Sequence, residues 1–188
     1  GNGQRAISVE AMTAVGRLAG IARHAFPKAP METIARATVT LEGGIAGDYR
    51  GGVKGRPHKR QVTLIERADW DRAMAAVGAD VRWAERRANL LVEGVDLPQI
   101  PGARIVIGDV VLEVTVECDP CSRMEAVAPG LKDALTPDWR GGVCTQVIAG
   151  GEIAVGDEIR IEQSCPNPSE RSTISVTSAA SAFSSARI

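Results

Sequence analysis

The strongest constraint on the fold comes from two stretches that place a Gly-Asp pair between alternating apolar residues. They read IVIGDVVLEV, at residues 105–114, and IAVGDEIRI, at residues 153–161. Glycine and aspartate tolerate the positive φ that a tight turn between two strands requires. Each stretch therefore predicts a β-hairpin, and with it antiparallel sheet.

Further strands are predicted by short segments that are rich in valine and isoleucine and bounded by glycine or proline. They are RLAGIARHAF (17–26), IARATVTLE (34–42), RQVTLIE (60–66) and VCTQVIAGG (143–151). Helical periodicity appears only in IERADWDRAMAAVG (65–78), where Gly78 would end the helix, and more weakly in SRMEAVAPGLKDAL (122–135). This pattern favours a mainly β fold, an antiparallel β-barrel whose closure leaves few exposed edges, with a few short helices.

The composition changes near both ends of the chain. Its 188 residues suit one packed domain, which we expect to span residues 16–162. Residues 1–15 are expected to form a loose extension. Residues 163–188 are rich in serine and offer few large apolar side chains to bury, which predicts a poorly ordered tail.

The overall charge and hydropathy argue against two classes of partner. The formal net charge is −1, so nothing in the total favours binding to nucleic acid or to an anionic membrane surface. No apolar run approaches the roughly 20 residues that span a bilayer, and the first residues lack the pattern of a secretory signal. We therefore expect a cytoplasmic protein with neither a nucleic acid nor a membrane as partner.

The cysteines leave several interpretations open. Cys118, Cys121, Cys144 and Cys165 are too few for a disulfide framework in a chain of this length. A structural zinc site would need a second closely spaced pair of ligands besides Cys118 and Cys121, so no zinc is predicted. A thioredoxin-like redox pair would belong between a strand and a long helix, but the CDPC motif keeps it as an alternative. Two buried structural cysteines are another.

Local chemistry favours Cys121 as a single working thiol. Arg123 follows it closely and a helical turn is expected to begin at Ser122, and both surroundings favour a thiolate. Cys118 lies between Glu117 and Asp119, whose negative charges oppose ionisation of a thiol. Cys144, in an apolar segment, is expected to be a core residue.

Six ordered blocks of the sequence resemble the MOSC domain family, in particular its stand-alone bacterial members, which are related to the C-terminal domain of molybdenum cofactor sulfurases. The blocks are GGIAGDYRG (43–51), RQVTLIE (60–66), RRANLLVEGVDL (86–97), GARIVIGDVVLEVT (102–115), CDPCSRME (118–125) and RGGVCTQVIAGGEIAVGDEI (140–159). The resemblance implies a β-barrel that binds a molybdenum cofactor or carries sulfur on a cysteine. The family's cysteine falls on Cys121, which would also be the ligand of molybdenum.

Basic and polar residues in these blocks are candidates for contact with the anionic cofactor, and each has a structural alternative. The loop residues Arg50, His58 and Lys59 could instead be exposed to solvent. The polar residues of RRANLLV could form salt bridges with Glu85 or Glu93, and Arg140, which precedes two glycines, could simply flank a tight turn. The candidates are Arg50, His58, Lys59, Arg86, Arg87, Asn89, Arg123 and Arg140.

Two classes of function follow. The first is a sulfur carrier or an enzyme that uses Cys121, with a separate protein as donor of sulfur or electrons. Relatives that hold the cofactor reduce N-hydroxylated compounds, so the resemblance implies such compounds as substrates of the enzyme. The resemblance does not include the lysine-bearing domain through which related sulfurases use pyridoxal phosphate, so we do not predict that cofactor. The second class is a non-catalytic β-barrel that binds a partner and keeps its cysteines for structure.

Overall fold

The computed structural model describes residues 14–51 and 59–162. The strands are β1 (Ala14–Arg23), β2 (Glu32–Ile34), β3 (Arg36–Thr40), β4 (Gly44–Ile45), β5 (Val62–Glu66), β6 (Leu90–Glu93), β7 (Arg104–Ile107), β8 (Val110–Glu117), β9 (Val143–Ala149), β10 (Gly151–Ala154) and β11 (Glu158–Glu162). The helices are α1 (Arg67–Val77), α2 (Ser122–Val127) and α3 (Leu131–Leu135), with 3₁₀ turns at Trp83–Arg86 and Pro137–Trp139. The expected tail, most of the expected extension and the candidate His58 lie outside the described residues.

Seven strands close into a barrel, which confirms the predicted fold class. Their order is β11-β7-β8-β9-β5-β6-β1, and β1 pairs with β11 to complete the circle. The pairs are antiparallel except for β5 and β6, which run parallel. A parallel pair needs a crossover connection, and here α1 supplies it between the two strands. The barrel is therefore mixed, a detail that the alternation of apolar residues did not predict.

The two Gly-Asp turns have different outcomes. β7 and β8 form the predicted hairpin, in which Ile107 pairs with Val110 and Gly108 has a φ of 57°. The second prediction is wrong, because β10 and β11 flank a tight turn but belong to different sheets. β11 pairs in the barrel, whereas β10 joins β3 and β4 in a separate three-stranded sheet. The turn chemistry was correct, but the strands diverge because each finds a partner elsewhere.

Two large apolar clusters stabilise the fold, beside a third, small one formed by Ala22, Met31 and Ala84. The larger fills the barrel with side chains from its strands, among them the fully buried Leu18, Leu64 and Leu112. The smaller lies outside the barrel, where Trp70 of α1 packs with apolar residues of α2 and α3 against Ile65 and Leu91. Full burial of each such side chain stabilises the fold by ~1.5–3 kcal/mol. α1 thus packs outside the barrel, and its predicted end at Gly78, which has a left-handed backbone, is confirmed.

The described helices are short. None of those in residues 14–51 and 59–162 combines the length and the hydropathy needed to cross a lipid bilayer.

Candidate functional site

Cys118 and Cys144 meet where β8 leaves the barrel beside β9. Val116 pairs with Cys144, and two residues further the N–H of Cys118 donates to the carbonyl O of Gly142 at 2.9 Å. Cys118 is 7% exposed and Cys144 is completely buried, as expected for the latter. The sulfur that lies against Cys118 is therefore that of Cys144 on the neighbouring strand, a pairing that the CDPC spacing did not suggest.

Arg86 holds the thiol of Cys118 in place. Its guanidinium is buried, and Nη2 donates to the carbonyl O of Cys118 at 2.7 Å and lies 3.3 Å from its Sγ. Nε donates to the carbonyl O of Gly141 at 3.1 Å. A buried guanidinium needs such acceptors, and a thiolate is the natural anionic partner among them. Arg86 is thus committed to Cys118 and to the adjacent chain.

The two buried thiols shift each other's pKa in opposite directions. A hydrogen bond from Cys144 lowers the pKa of Cys118 to about 6, against the opposing effect of burial and with help from Arg86. The same hydrogen bond and burial raise the pKa of Cys144. The expectation that Glu117 and Asp119 would keep Cys118 protonated is therefore wrong, because contacts made by folding outweigh the charges beside it in sequence.

Cys121 lies on the surface at the start of α2. Its thiol is exposed, and it occupies the N-cap position of the helix that begins at Ser122, as the sequence predicted. Arg123, on the first turn, is also exposed. The loop from Cys118 to Cys121 therefore runs from a buried sulfur to a sulfur that a ligand can reach. The assignment of Cys121 as the working thiol stays a prediction.

Arg87 diverges from Arg86 although the two are adjacent. Arg87 has a left-handed backbone, with a φ of 63°, and its Nη1 donates to the carbonyl O of Ala29 at 2.8 Å. Burial, followed by the charges of Arg123 and Arg50, lowers its pKa. Salt bridges with Glu85 or Glu93 do not explain these two arginines, since both carboxylates form their ion pairs with other arginines.

A buried histidine and aspartate lie beside this group, and sequence reasoning missed both. Asp48 accepts from the N–H of His24 at 3.0 Å and from the N–H of Gly51 at 3.4 Å. Nδ1 of His24 lies 3.2 Å from Asp48 Oδ1, but its geometry leaves it without a hydrogen-bond partner in the described part of the chain. Burial, then the charges of Arg87 and Arg50, lower the pKa of His24 against the opposing effect of Asp48. The one sequence signal for this pair was that Asp48 lies within the GGIAGDYRG block.

Asn89, just before β6, forms hydrogen bonds with β5 and β1 through its side chain. Its Oδ1 accepts from the N–H and the hydroxyl of Thr63, at 3.1 and 3.2 Å, and its Nδ2 donates to the carbonyl O of Ala22 at 3.2 Å. The side chain is buried. Its amide is therefore engaged within the protein, which gives Asn89 a structural role whatever else it contacts.

Arg140 flanks the same loop from the other side. Its Nη1 donates to the carbonyl O of Ala134 at 3.3 Å, whereas its buried Nε has no hydrogen-bond partner among residues 14–51 and 59–162. The next residue, Gly141, lies so close that an added Cβ would be 2.4 Å from the carbonyl O of Cys118. The glycines after Arg140 permit this approach, and the unpaired Nε leaves one donor for a ligand.

The remaining basic candidates are distributed over the surface nearby. Arg50 and Lys59 are exposed, and the carbonyl O of Lys59 accepts from the hydroxyl of Thr115. Arg60, which is not among the predicted site residues, lowers the pKa of both buried thiols. Arginines that influence the ionisation of Cys118 or of Arg87 thus converge from four segments on one end of the barrel. They are Arg50, Arg60, Arg86 and Arg123, and Arg87 itself is the fifth member of this arginine cluster.

The part of the chain that the structure describes holds no group of three or more His, Cys, Asp or Glu side chains arranged to bind a metal ion. The excess of guanidinium groups and the unpaired Nε of Arg140 fit an anionic cofactor better than a bare cation.

Comparison with known proteins decides the family. The family model described as the MOSC domain matches residues 43–160, more than half of the chain. The chain belongs to the MOSC domain family. This confirms the resemblance seen in the six sequence blocks. The matched range includes the buried Cys118 and Cys144, the exposed Cys121 and the arginine cluster.

Solved structures share the MOSC fold at low sequence identity. The YuaD protein from Bacillus subtilis superposes with a TM-score of 0.65 at 19% identity, covering 79% of this chain and 96% of its own. YiiM from Geobacillus stearothermophilus gives 0.62 at 16% identity, covering 79% and 75%. YiiM from Escherichia coli gives 0.54 at 14%, covering 82% and 71%. No curated protein sequence matches this chain.

Proposed function

We propose that this MOSC domain protein binds a molybdenum cofactor, or carries sulfur for one, at the arginine-rich end of its barrel, with Cys121 as the reactive thiol. The closeness of Arg50, Arg87 and Arg123, with Arg123 two residues from the exposed thiol of Cys121, is the observation that carries the proposal. Family membership supports it, because the sequence blocks that resemble cofactor-handling relatives supply these residues.

The arginines suit the phosphate of a pterin cofactor. Arg87 and Arg123 are close enough to affect one another, and Arg50 affects both Arg87 and Cys118. Like charges held this close repel, so a bound anion would relieve the repulsion while accepting several charge-assisted hydrogen bonds. Arg140 would add its unpaired Nε to the same ligand.

Cys121 suits the chemistry of the group. Molybdenum in such a cofactor provides two-electron oxygen-atom transfer, and a thiolate is a soft ligand for it. Because Cys121 is exposed at the end of a loop, its thiolate could also attack the outer sulfur of a donor protein's persulfide, so that the S–S bond of the donor breaks, the donor cysteine leaves as a thiolate and the persulfide forms on Cys121. Arg123 would lie beside either form and balance its negative charge.

The sharper form of the proposal is a reductase of N-hydroxylated compounds that receives electrons from a partner protein. A cytoplasmic setting, expected from the sequence, would keep Cys121 reduced between turnovers. The substrate would reach the exposed face near Cys121 rather than the filled interior of the barrel.

Elemental analysis of freshly purified protein tests the proposal, with molybdenum as the expected element and zinc as the control. Intact-mass measurement would detect one additional sulfur if the protein is a carrier. Cys121→Ser should lose the molybdenum or the added sulfur, and combined Arg50→Gln and Arg123→Gln should weaken retention of molybdenum.

Arg72→Gln is the matched control, because Arg72 is an exposed arginine on α1 that pairs only locally with Asp69. It should retain wild-type metal or sulfur content. If the protein carries neither molybdenum nor added sulfur, even when produced in a host that makes the cofactor, the proposal fails and a non-catalytic binding barrel becomes the better account.

A further inference from the structure

We propose that Cys118 and Cys144 form a peroxide-oxidisable pair, distinct from Cys121, which closes to a disulfide between β8 and the adjoining strand β9. The pair would make the arginine-rich end of the barrel sensitive to redox conditions. Nothing in the proposed function requires this, since that function uses the exposed Cys121.

The geometry makes Cys118 the attacking sulfur. The Nη2 of Arg86 lies 3.3 Å from its Sγ, and a side-chain hydrogen bond joins Cys118 to Cys144. Both contacts stabilise a thiolate, and the thiolate is the form that attacks a peroxide. Consistent with this, the pKa of Cys118 is lowered to about 6.

Cys144 has the position of a resolving thiol. It is fully buried and its pKa is raised, so it stays protonated while Cys118 ionises. Its Sγ donates to the carbonyl O of Glu117 at 3.8 Å, which also favours the protonated thiol. Since Cys118 is only 7% exposed, a small uncharged oxidant such as hydrogen peroxide is the reagent that suits the site.

The reaction balances with hydrogen peroxide as the oxidant. The Cys118 thiolate attacks one peroxide oxygen, the O–O bond breaks, and the departing hydroxide takes a proton to become water, which leaves a sulfenic acid on Cys118. The Cys144 sulfur then attacks the Cys118 sulfur, the S–O bond breaks, and the second water leaves. Two thiols and one peroxide give one disulfide and two waters.

The disulfide would change the electrostatic environment of the arginine cluster through Arg86. Formation of an S–S bond removes the thiolate that faces its buried guanidinium, while the carbonyl groups of Cys118 and Gly141 still hold it. A buried cation that loses its anionic partner attracts anions more strongly. The oxidised protein would therefore differ in its affinity for an anionic ligand at this end of the barrel.

The test uses a Cys121→Ser, Cys165→Ser protein, in which only the proposed pair can react. After treatment with hydrogen peroxide and digestion with trypsin under non-reducing conditions, peptides 105–123 and 141–160 should appear linked, and dithiothreitol should release them. Adding Cys144→Ser should remove the link and leave a sulfenic acid on Cys118 that dimedone labels. Adding Arg86→Gln should slow oxidation at neutral pH by about tenfold, because less of Cys118 is ionised.

Arg86→Lys guards against loss of the fold, since it keeps the charge, and circular dichroism checks each variant. It should react faster than Arg86→Gln. The proposal is overturned if both thiols of the folded protein remain free after peroxide treatment, or if they oxidise separately without forming the link. Because Cys121 is absent from the test protein, neither result depends on whether the protein binds molybdenum or carries sulfur.

Discussion

Replacing Asn89 with alanine separates a structural role from a cofactor-binding role. The substitution removes three buried side-chain hydrogen bonds, two accepted from Thr63 and one donated to Ala22. Each such bond contributes ~1 kcal/mol, and a buried N–H left without an acceptor costs more. We expect the free energy of unfolding to fall by ~2–4 kcal/mol without any cofactor present, which for a domain of this size lowers Tm by about 5–15 °C.

Urea denaturation followed by circular dichroism measures this loss, with an unchanged m-value showing that the two states are otherwise comparable. Gln146→Ala is the matched control, because Gln146 is exposed on β9, and it should change stability by less than ~0.5 kcal/mol. A double-mutant cycle with Thr63→Val should show coupling of ~1 kcal/mol. If Asn89→Ala leaves the stability of the cofactor-free protein unchanged, the structural role assigned to Asn89 is wrong.

Three further predictions concern stability. Burial and the neighbouring Asp69 raise the pKa of Glu66 to about 8, so the folded protein favours the neutral carboxyl and becomes less stable as pH rises toward that value. Glu66→Gln should therefore be ~1–2 kcal/mol more stable than wild type at about pH 9 in urea titrations, with no gain at about pH 4. Gly142→Ala places a Cβ 2.0 Å from the carbonyl O of Leu64 at a φ of 98°, so it should lower the free energy of unfolding by ~3 kcal/mol or more in thermal denaturation. In the control Gly108→Ala the added Cβ has nothing within 4 Å, so the loss should be ~1 kcal/mol, from the positive φ alone. Truncation after Glu162, which removes the serine-rich segment, should lower Tm by no more than a few degrees in a thermal scan, and a larger drop would show that the segment packs on the domain.

Much of the barrel could be predicted because its signals are local. Alternation of apolar residues identified the strands that became β7, β8 and β11, and the periodicity of residues 65–78 identified α1. These signals depend on which face of an element is buried, and that information lies within a few neighbouring residues. The family blocks were recognisable for the same reason, since each is a short continuous segment.

The partners of each element depended on the whole fold. The parallel pairing of β5 with β6 and the separation of β10 from β11 follow from closing seven strands into a circle, which the strands' own sequences do not specify. His24 and Asp48 are 24 residues apart and become neighbours only when the chain has folded.

The thiols show most clearly where sequence reasoning stops. In the sequence, Cys118 has two carboxylates as neighbours and Cys121 has an arginine nearby, so charge alone favoured ionisation of Cys121. In the structure, Arg86 reaches the sulfur of Cys118 from 32 residues away, and Cys144 faces it from the adjacent strand. Electrostatic effects fall with distance and grow with burial, so the contacts that folding creates in the protein interior outweigh charges that are adjacent only along the chain.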